Sequence, residues 1–312
     1  MVTQDNARPG PRTAGVARVL AIASAPAGAL LVAAIPLLFG RIDDKPVLTL
    51  GPAMAAVSGW LRGLADGSSF VYVYGTTKWN FFDTAPTYFM VSFAYVALAG
   101  SIGLAIGTTL GLCLRGRAAR VASSVLGTLY AVPDFIMAII LQMATLLTLD
   151  LAGFKLGKIS YDPAGGYILA LPLALLTLYP LAFAFRTALR KSVEAEREPF
   201  AVFALAKGLS VGTVRVRHVG AAVIPAIAYE LPTLLGIMQA NLFMAEYVFS
   251  LPGITRFLFQ AAFSGRQPGW IERYQYSLAA TILLGLMILY LAAWCFFRLA
   301  LSLVRRALTG ER

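Results

Sequence analysis

The sequence predicts an all-α integral membrane protein with about six transmembrane helices and with both termini in the cytoplasm. Of its 312 residues, 59% are hydrophobic and only 13% are charged, whereas about 25% of the residues of a soluble domain are charged. Apolar runs recur along the chain, and each is about as long as a helix that crosses a bilayer. The net charge of +11 lies in the short segments between these runs, so it indicates membrane orientation rather than nucleic-acid binding.

The N-terminal elements are a polar tail, an apolar run and a long charged segment. Residues 1–18 are polar and basic, and we expect them to form a cytoplasmic tail. The run 19–40 is predicted to be the first transmembrane helix, because it is longer than the apolar region of a typical signal peptide. Residues 41–85 carry balanced charges, which predicts an extracytoplasmic segment. Apolar residues at helical spacing after Pro52 predict that this segment contains a helix lying in the membrane interface.

Residues 86–304 are predicted to form a core with five further transmembrane helices. The apolar runs behind this prediction are 86–114, 121–149, 167–185, 221–249 and 276–304. Glycines recur in the first of these runs, and a row of small residues allows two helices to approach closely. They are Gly100, Gly103, Gly107 and Gly111. Residues 305–312, which begin with two arginines, are predicted to be a cytoplasmic tail.

Lysine and arginine alternate with near-neutral loops along the chain. The cations are concentrated in the two tails, in residues 115–120 and in residues 186–217. Short cytoplasmic loops carry an excess of such residues. A chain of about six spans with both ends in the cytoplasm places every basic loop on the cytoplasmic side and every near-neutral loop outside. The loop 186–217 is then cytoplasmic.

A short helix is predicted within this last loop. Pro199 can begin a helix, because its missing N–H would be unpaired in the first turn, and Gly208 can end it in the left-handed conformation. Ser210 can then cap a second helix that runs toward Pro225. The loop is therefore predicted to be ordered rather than extended.

The predicted short helix has an apolar face with flanking cations. Phe200, Phe203 and Ala204 fall at i, i+3 and i+4, so they are predicted to share one narrow face. Lys207 lies in the last turn, where the helix dipole favours a cation, and Arg197 precedes the helix. This pattern favours a docking element, and the alternative is a solvated basic loop that only obeys the orientation rule.

Several kinds of chemistry have no motif in this sequence. There is neither a G-x-x-x-x-G-K-[ST] phosphate loop nor an H-E-x-x-H zinc motif. His218 is the single histidine, and Cys113 and Cys295 lie inside apolar runs, so neither a metal site nor a disulfide framework is expected. We therefore expect the chain to bind no cofactor or metal.

Polar side chains within the predicted spans are the candidates for a translocation pathway. A charged group at the centre of a bilayer costs about 2.5–3.5 kcal/mol on insertion scales, so such a group usually faces a cavity or a partner. The candidates are Asp134, Gln142, Glu230, Gln239, Asn241 and Glu246. Gln239 and Asn241 are favoured, because they lie nearest the middle of a span, and the alternative for both is a hydrogen bond that packs two helices together. Glu230 can instead snorkel to the cytoplasmic surface, and Glu246 is equally suited to a structural salt bridge.

Three groups of residues, in order along the chain, carry a family resemblance. They are Leu126, Gly127, Pro133 and Phe135; then Arg186, Arg190, Ser192, Glu194, the AKGLS of Ala206–Ser210, Arg217, His218, Ile224 and Pro225; then Glu246, Phe249, Pro252 and Gly253 in EYVFSLPGI. Their order and spacing resemble the permease subunits of bacterial ABC importers, in the dipeptide, oligopeptide and nickel branch. The resemblance extends over roughly residues 86 to 290.

The resemblance implies the type I ABC importer permease fold, with a coupling loop at 190–220 and a coupling helix that seats in a separate ATPase subunit. The residues implied to couple to the ATPase are Arg197, Pro199, Phe200, Phe203, Ala204, Lys207 and Gly208. It also implies a second permease subunit in a heterodimer, one or two cytoplasmic ATPase subunits that use ATP and Mg²⁺, and an extracytoplasmic substrate-binding protein. Membrane lipid is the remaining partner, and the expected location is the bacterial inner membrane.

The expected function is therefore that of a transport subunit without an ATPase site of its own. A peptide is the first choice of cargo, and nickel or a metal–chelator complex is the alternative for the same machinery. A secondary transporter or channel that works alone is the alternative from another class. A membrane-embedded enzyme is disfavoured, because the loops do not supply a nucleophile, a base and an orienting group together.

Overall fold

The computed structural model describes residues 11–42, 45–74, 76–154, 156–157, 160, 170–262 and 274–310. These residues divide into two compact units. One lies within Met1–Thr84 and Leu258–Met287, and the other lies within Ala85–Phe257 and Ile288–Arg312.

The first unit contains the N-terminal elements. In chain order they are α1 (Pro11–Leu38), β1 (Phe39–Ile42), β2 (Lys45–Leu48), α2 (Gly51–Gly63), a short 3₁₀ turn (Ser68–Phe70), β3 (Val71–Tyr74) and β4 (Thr77–Asn80). The strands form two antiparallel hairpins, β1 with β2 and β3 with β4. The prediction of helical spans holds, but these hairpins were not predicted from the sequence.

Helix α2 is the helix predicted after Pro52, and its two sides differ. The indole N–H of Trp60 donates to Thr281 Oγ1 at 3.3 Å, and Trp60 is only 6% exposed. On the other side, Met54 and Leu61 are 69% and 51% exposed. The helix is therefore confirmed, and its location in the membrane interface stays a prediction.

The remaining helices run from α3 onward. They are α3 (Phe81–Cys113), α4 (Gly116–Ala131), α5 (Asp134–Ala152), α6 (Ala170–Ala195), α7 (Pro199–Ala206), α8 (Val211–Thr213), α9 (Gly220–Val248), α10 (Ile254–Ala262) and α11 (Tyr276–Thr309). A π-helical turn at Val214–Val219 joins α8 to α9 and makes one continuous helical stretch.

Five helical stretches in the described part of the chain are long and apolar enough to cross a membrane. They are Phe81–Cys113, Asp134–Ala152, Ala170–Ala195, Val211–Val248 and Tyr276–Thr309. The apolar part of α1, Ser24–Leu38, is shorter than these. The sixth span at 19–40 and the cytoplasmic location of both termini therefore stay predictions.

Both predicted tails are partly helical. Helix α1 begins at Pro11, within the predicted tail 1–18, and α11 continues through most of the predicted tail 305–312. Residues 1–10 and 311–312 lie outside the described residues. The boundaries drawn from charge therefore mark where polar residues begin, and the helices extend past them.

The predicted third span is two helices rather than one. The run 121–149 is interrupted between α4 and α5, where Val132 is extended with φ −77° and ψ 127°. Pro133 explains the break, since proline disfavours the helical conformation of the preceding residue and has no N–H to continue the ladder. The prediction of a continuous helix here is wrong.

The glycines of α3 allow it to pack directly against the backbone of α6. A Cβ at Gly103 would lie 2.8 Å from the Leu181 nitrogen, and one at Gly111 would lie 2.7 Å from the Phe185 oxygen. A Cβ at Gly107 would also collide with the Leu181 oxygen. No real side chain fits at such distances, so the prediction of close helix approach is confirmed.

Candidate functional site

Helix α7 is the short helix predicted between Pro199 and Lys207. It begins at Pro199 and ends one residue earlier than predicted, at Ala206. Gly208 follows with φ +84°, and its N–H donates to the Leu205 oxygen at 2.9 Å. The N–H of Leu209 donates to the Ala204 oxygen at 3.3 Å. This Schellman arrangement satisfies the last carbonyls of the helix and requires a residue that tolerates positive φ.

Helix α7 packs through its small residues and leaves its aromatic residues exposed. Ala201 and Ala204 are 1% and 5% exposed. Phe200 and Phe203 are 43% and 61% exposed. The prediction that Ala204 shares the docking face with the two phenylalanines is therefore wrong, because Ala204 is buried against the chain.

Two cations flank the exposed aromatic face. The Lys207 ammonium lies 4.5 Å from the centroid of the Phe203 ring, which is a cation–π contact. Arg197, just before the helix, is also exposed. An apolar centre with a basic rim is the composition expected of a protein contact surface with an acidic partner.

Glu196 holds the base of α7 to two other elements. Its Oε1 accepts from Arg115 Nη2 and from Arg215 Nε, each at 2.7 Å. Partial burial opposes ionisation, yet the two guanidinium hydrogen bonds hold the pKa of Glu196 below its usual value. Arg115 follows α3, and Arg215 lies in the π-helical turn. The pairing of Glu196 with the two arginines was not predicted from the sequence. The only sign of it there is a carboxylate within a loop that is otherwise rich in cations.

The predicted cap of the helix after Gly208 is confirmed. Ser210 is the N-cap of α8, and its Oγ accepts from the Thr213 N–H at 3.2 Å. The loop between α6 and α9 is therefore held by a cap, a left-handed glycine and the Glu196 ion pairs.

Glu230, one of the predicted pathway residues, borders a cavity of about 340 Å³. The cavity is lined by Tyr130, Tyr179, Ala182, Phe183, Arg186, Thr187, Arg190 and Glu230. Glu230 forms an ion pair there, because Arg190 Nη2 donates to its Oε1 at 3.2 Å. Sequence reasoning did not identify the tyrosines as part of this site.

Glu246 lies in the last turn of α9 and is completely buried against the start of α10. Its Oε2 accepts from the N–H groups of Thr255 and Arg256 at 2.9 and 3.1 Å, and its Oε1 accepts from Ser92 Oγ at 2.5 Å. Gly253 passes so close that a Cβ there would overlap the carboxylate. This arrangement is a structural cap for α10, and it differs from both the predicted pathway contact and the predicted salt bridge.

The other predicted pathway residues are dispersed. Asp134 lies in the first turn of α5, where the helix dipole favours an anion, and Gln142 is half-buried on the same helix. Asn241 is 8% exposed, and Gln239 lines a small cavity away from Glu230. At about 100° per residue, Gln239 and Glu230 fall on opposite sides of α9. The structure does not gather the six candidates at one site.

Comparison with known proteins identifies the family. Residues 102–307 match the family described as "Binding-protein-dependent transport system inner membrane component". The oligopeptide transport system permease protein OppB of Salmonella typhimurium is 26% identical over 264 residues, which cover 80% of this chain and 79% of that protein. OppB of Haemophilus influenzae is 28% identical over 205 residues, 63% of this chain and 60% of that protein. The chain therefore belongs to the binding-protein-dependent family of transport components and is a multi-pass protein of the bacterial inner membrane.

Proposed function

We propose that this protein is the permease half of an ATP-driven importer of peptides. It works with a second, related permease, with one or two cytoplasmic ATPase subunits and with an extracytoplasmic substrate-binding protein. The ATPase subunits use ATP and Mg²⁺, and this chain binds neither. The peptide cargo is supported by the two relatives, both of which are oligopeptide permease proteins.

The observation that carries the proposal is the exposed aromatic face of α7. Two phenylalanines on one short helix, Phe200 and Phe203, are held outward while Ala201 and Ala204 anchor the helix. Large exposed aromatic side chains next to cations are typical of the energetic centre of a protein interface. We therefore propose that α7 seats in an apolar pocket of an ATPase subunit, with Arg197 and Lys207 facing acidic groups at the rim.

The contacts of Glu196 provide a route by which α7 moves the transmembrane helices. Glu196 lies between α6 and α7 and is paired with Arg115 and Arg215. A displacement of α7 by the ATPase is therefore transmitted to the ends of α3 and α9 through two short ion pairs. A shift of these helices then changes the side on which the passage is open.

The experiment compares Phe203→Asp with a control in the reconstituted complex. A charge at the centre of an interface costs about 2 kcal/mol or more, so we expect the affinity for the ATPase subunit to fall by about thirtyfold or more. Peptide-stimulated ATP hydrolysis and uptake should fall with it. Trp79→Asp is the matched control, because Trp79 is also a large exposed aromatic residue but lies on β4, outside the five stretches that can cross a membrane.

Two outcomes would overturn parts of the proposal. Normal assembly and normal coupling in Phe203→Asp would show that α7 is not the docking helix. ATP-dependent uptake of a labelled nickel or metal–chelator complex, without uptake of labelled peptide, would assign the alternative cargo.

A further inference from the structure

The cavity bordered by Glu230 combines aromatic and charged groups from three helices. Tyr130 lies on α4, Tyr179, Arg186 and Arg190 lie on α6, and Glu230 lies on α9. Its volume of about 340 Å³ is within the range of small-molecule sites. The cavity therefore has both the size and the mixed lining of a binding site.

Arg186 is positioned in this cavity by aromatic rings. Its guanidinium lies 5.4 Å from the centroid of the Tyr130 ring, and the Tyr130 and Tyr179 rings are 5.1 Å apart. A Cβ at Gly127 would be 3.1 Å from Arg186 Nη2, so the absence of a side chain there leaves room for the guanidinium. A guanidinium stacked on a ring keeps its N–H donors in the plane, where they are free to bind a planar anion.

The charges of the cavity do not balance. Arg190 is paired with Glu230, whereas Arg186 has no carboxylate within ion-pair distance in the part of the chain that the structure describes. Both arginines lie in the last turns of α6, where the predicted cytoplasmic loop begins, and both are exposed. The cavity therefore presents an unpaired guanidinium that an anion can reach. The surplus is one positive charge, which matches a carboxylate better than a dianionic phosphate.

We propose that this cavity binds the C-terminal carboxylate of a short peptide during its passage, with Arg186 as the ion-pairing group. The Tyr130 and Tyr179 rings contact the last residue of the peptide, and Arg190 with Glu230 closes the site on the side of α9. The inference rests on the proposed function as a peptide importer and identifies the group of the cargo that this chain recognises.

The test measures peptide binding to the assembled complex in nanodiscs, without the substrate-binding protein and without nucleotide. The probes are one fluorescent tripeptide as the free acid and the same tripeptide as the C-terminal amide. A charge-assisted bidentate contact predicts that the wild type prefers the acid by about tenfold. Arg186→Gln should abolish this preference, and Arg186→Lys should retain only part of it because lysine cannot bind in a bidentate manner.

Arg298→Gln is the matched control. The Arg298 guanidinium also lies over a ring, 5.6 Å from the centroid of Trp294, but Arg298 does not line the cavity. This variant should keep the preference of the wild type. A preference that Arg298→Gln lost as well would show that any stacked arginine of the spans affects binding, and it would overturn the assignment.

The remaining outcomes separate the inference from the proposed function. Equal binding of acid and amide to the wild type, or a full preference in Arg186→Gln, would overturn the inference. If Arg186→Gln does not assemble, Arg186→Lys decides, because an unchanged preference contradicts a bidentate contact. ATP-dependent uptake of the acid by wild-type proteoliposomes with the binding protein tests the proposed function separately, and it can succeed while the inference fails.

Discussion

Replacing Gly253 with alanine tests the buried carboxylate that caps α10. The new Cβ would overlap Cδ and both carboxylate oxygens of Glu246. The carboxylate cannot move away without losing the hydrogen bonds that it accepts from the N–H groups of Thr255 and Arg256, at 2.9 and 3.1 Å. Either the backbone around residue 253 shifts or these hydrogen bonds are lost.

Both responses have a similar cost. Forcing an extra methyl group into a packed site costs about 1–3 kcal/mol, and leaving a buried N–H group without its acceptor also costs about 1–3 kcal/mol. The protein takes the less costly response, so we expect Gly253→Ala to lower the free energy of unfolding by about 1–3 kcal/mol.

Gly236→Ala is the matched control, because the Cβ position at Gly236, in the interior of α9, has no atom within 4 Å beyond its chain neighbours and the backbone of its own helix. Alanine is favoured over glycine there by about 0.5–1 kcal/mol, so this variant should be slightly more stable than the wild type. The measurement is thermal unfolding of the purified protein in detergent, followed by intrinsic fluorescence. If the unfolding midpoint of Gly253→Ala is at or above that of the wild type, while Gly236→Ala behaves as expected, then Glu246 can move aside without cost and the expected loss of stability is refuted.

Three further predictions concern the loop around α7. The pKa of Glu196 is lowered in the folded state by hydrogen bonds from Arg115 and Arg215. The carboxylate of Glu196 therefore stabilises the protein above the unfolded pKa, and this stabilisation is lost as the pH falls through the folded pKa. From about pH 6 to about pH 3, the melting temperature of the wild type should drop more steeply than that of Glu196→Gln. Gly208→Val places a β-branched residue at φ +84°, which costs about 1–2 kcal/mol and should reduce binding of the ATPase subunit. If the variant binds the ATPase subunit as tightly as the wild type does, this turn is not required. Ser210→Ala removes the cap of α8 and should lower the free energy of unfolding by about 0.5–2 kcal/mol, measured by the same thermal assay, in which unchanged stability would count against the cap.

The features predicted well from the sequence are those fixed by local physics. The limits of α7 follow from the missing N–H of Pro199 and from the positive φ available to Gly208, and each needs only its own neighbours. The same holds for the cap at Ser210. The break at Pro133 had an equally local signal, but the apolar run around it obscured the interruption.

Other features depend on partners far away in the sequence. Ser92 binds the carboxylate of Glu246 across 154 positions of sequence separation, and Arg115 binds Glu196 across 81. Hydropathy marks such carboxylates as unusual but does not identify what surrounds them. The inward side of α7 was missed for a related reason, since the packing of Ala204 depends on the elements beneath the helix.

The glycine row of α3 has a consequence for motion within the membrane. Gly103, Gly107 and Gly111 meet the backbone of α6 and the short side chains of Pro180, Ala184 and Ala188, which have no other rotamer to adopt. Sliding would drive peptide groups into each other. We therefore expect α3 and α6 to move as one body through a transport cycle, and spin labels on the two helices should keep a single distance in nucleotide-free and ATP-bound complexes.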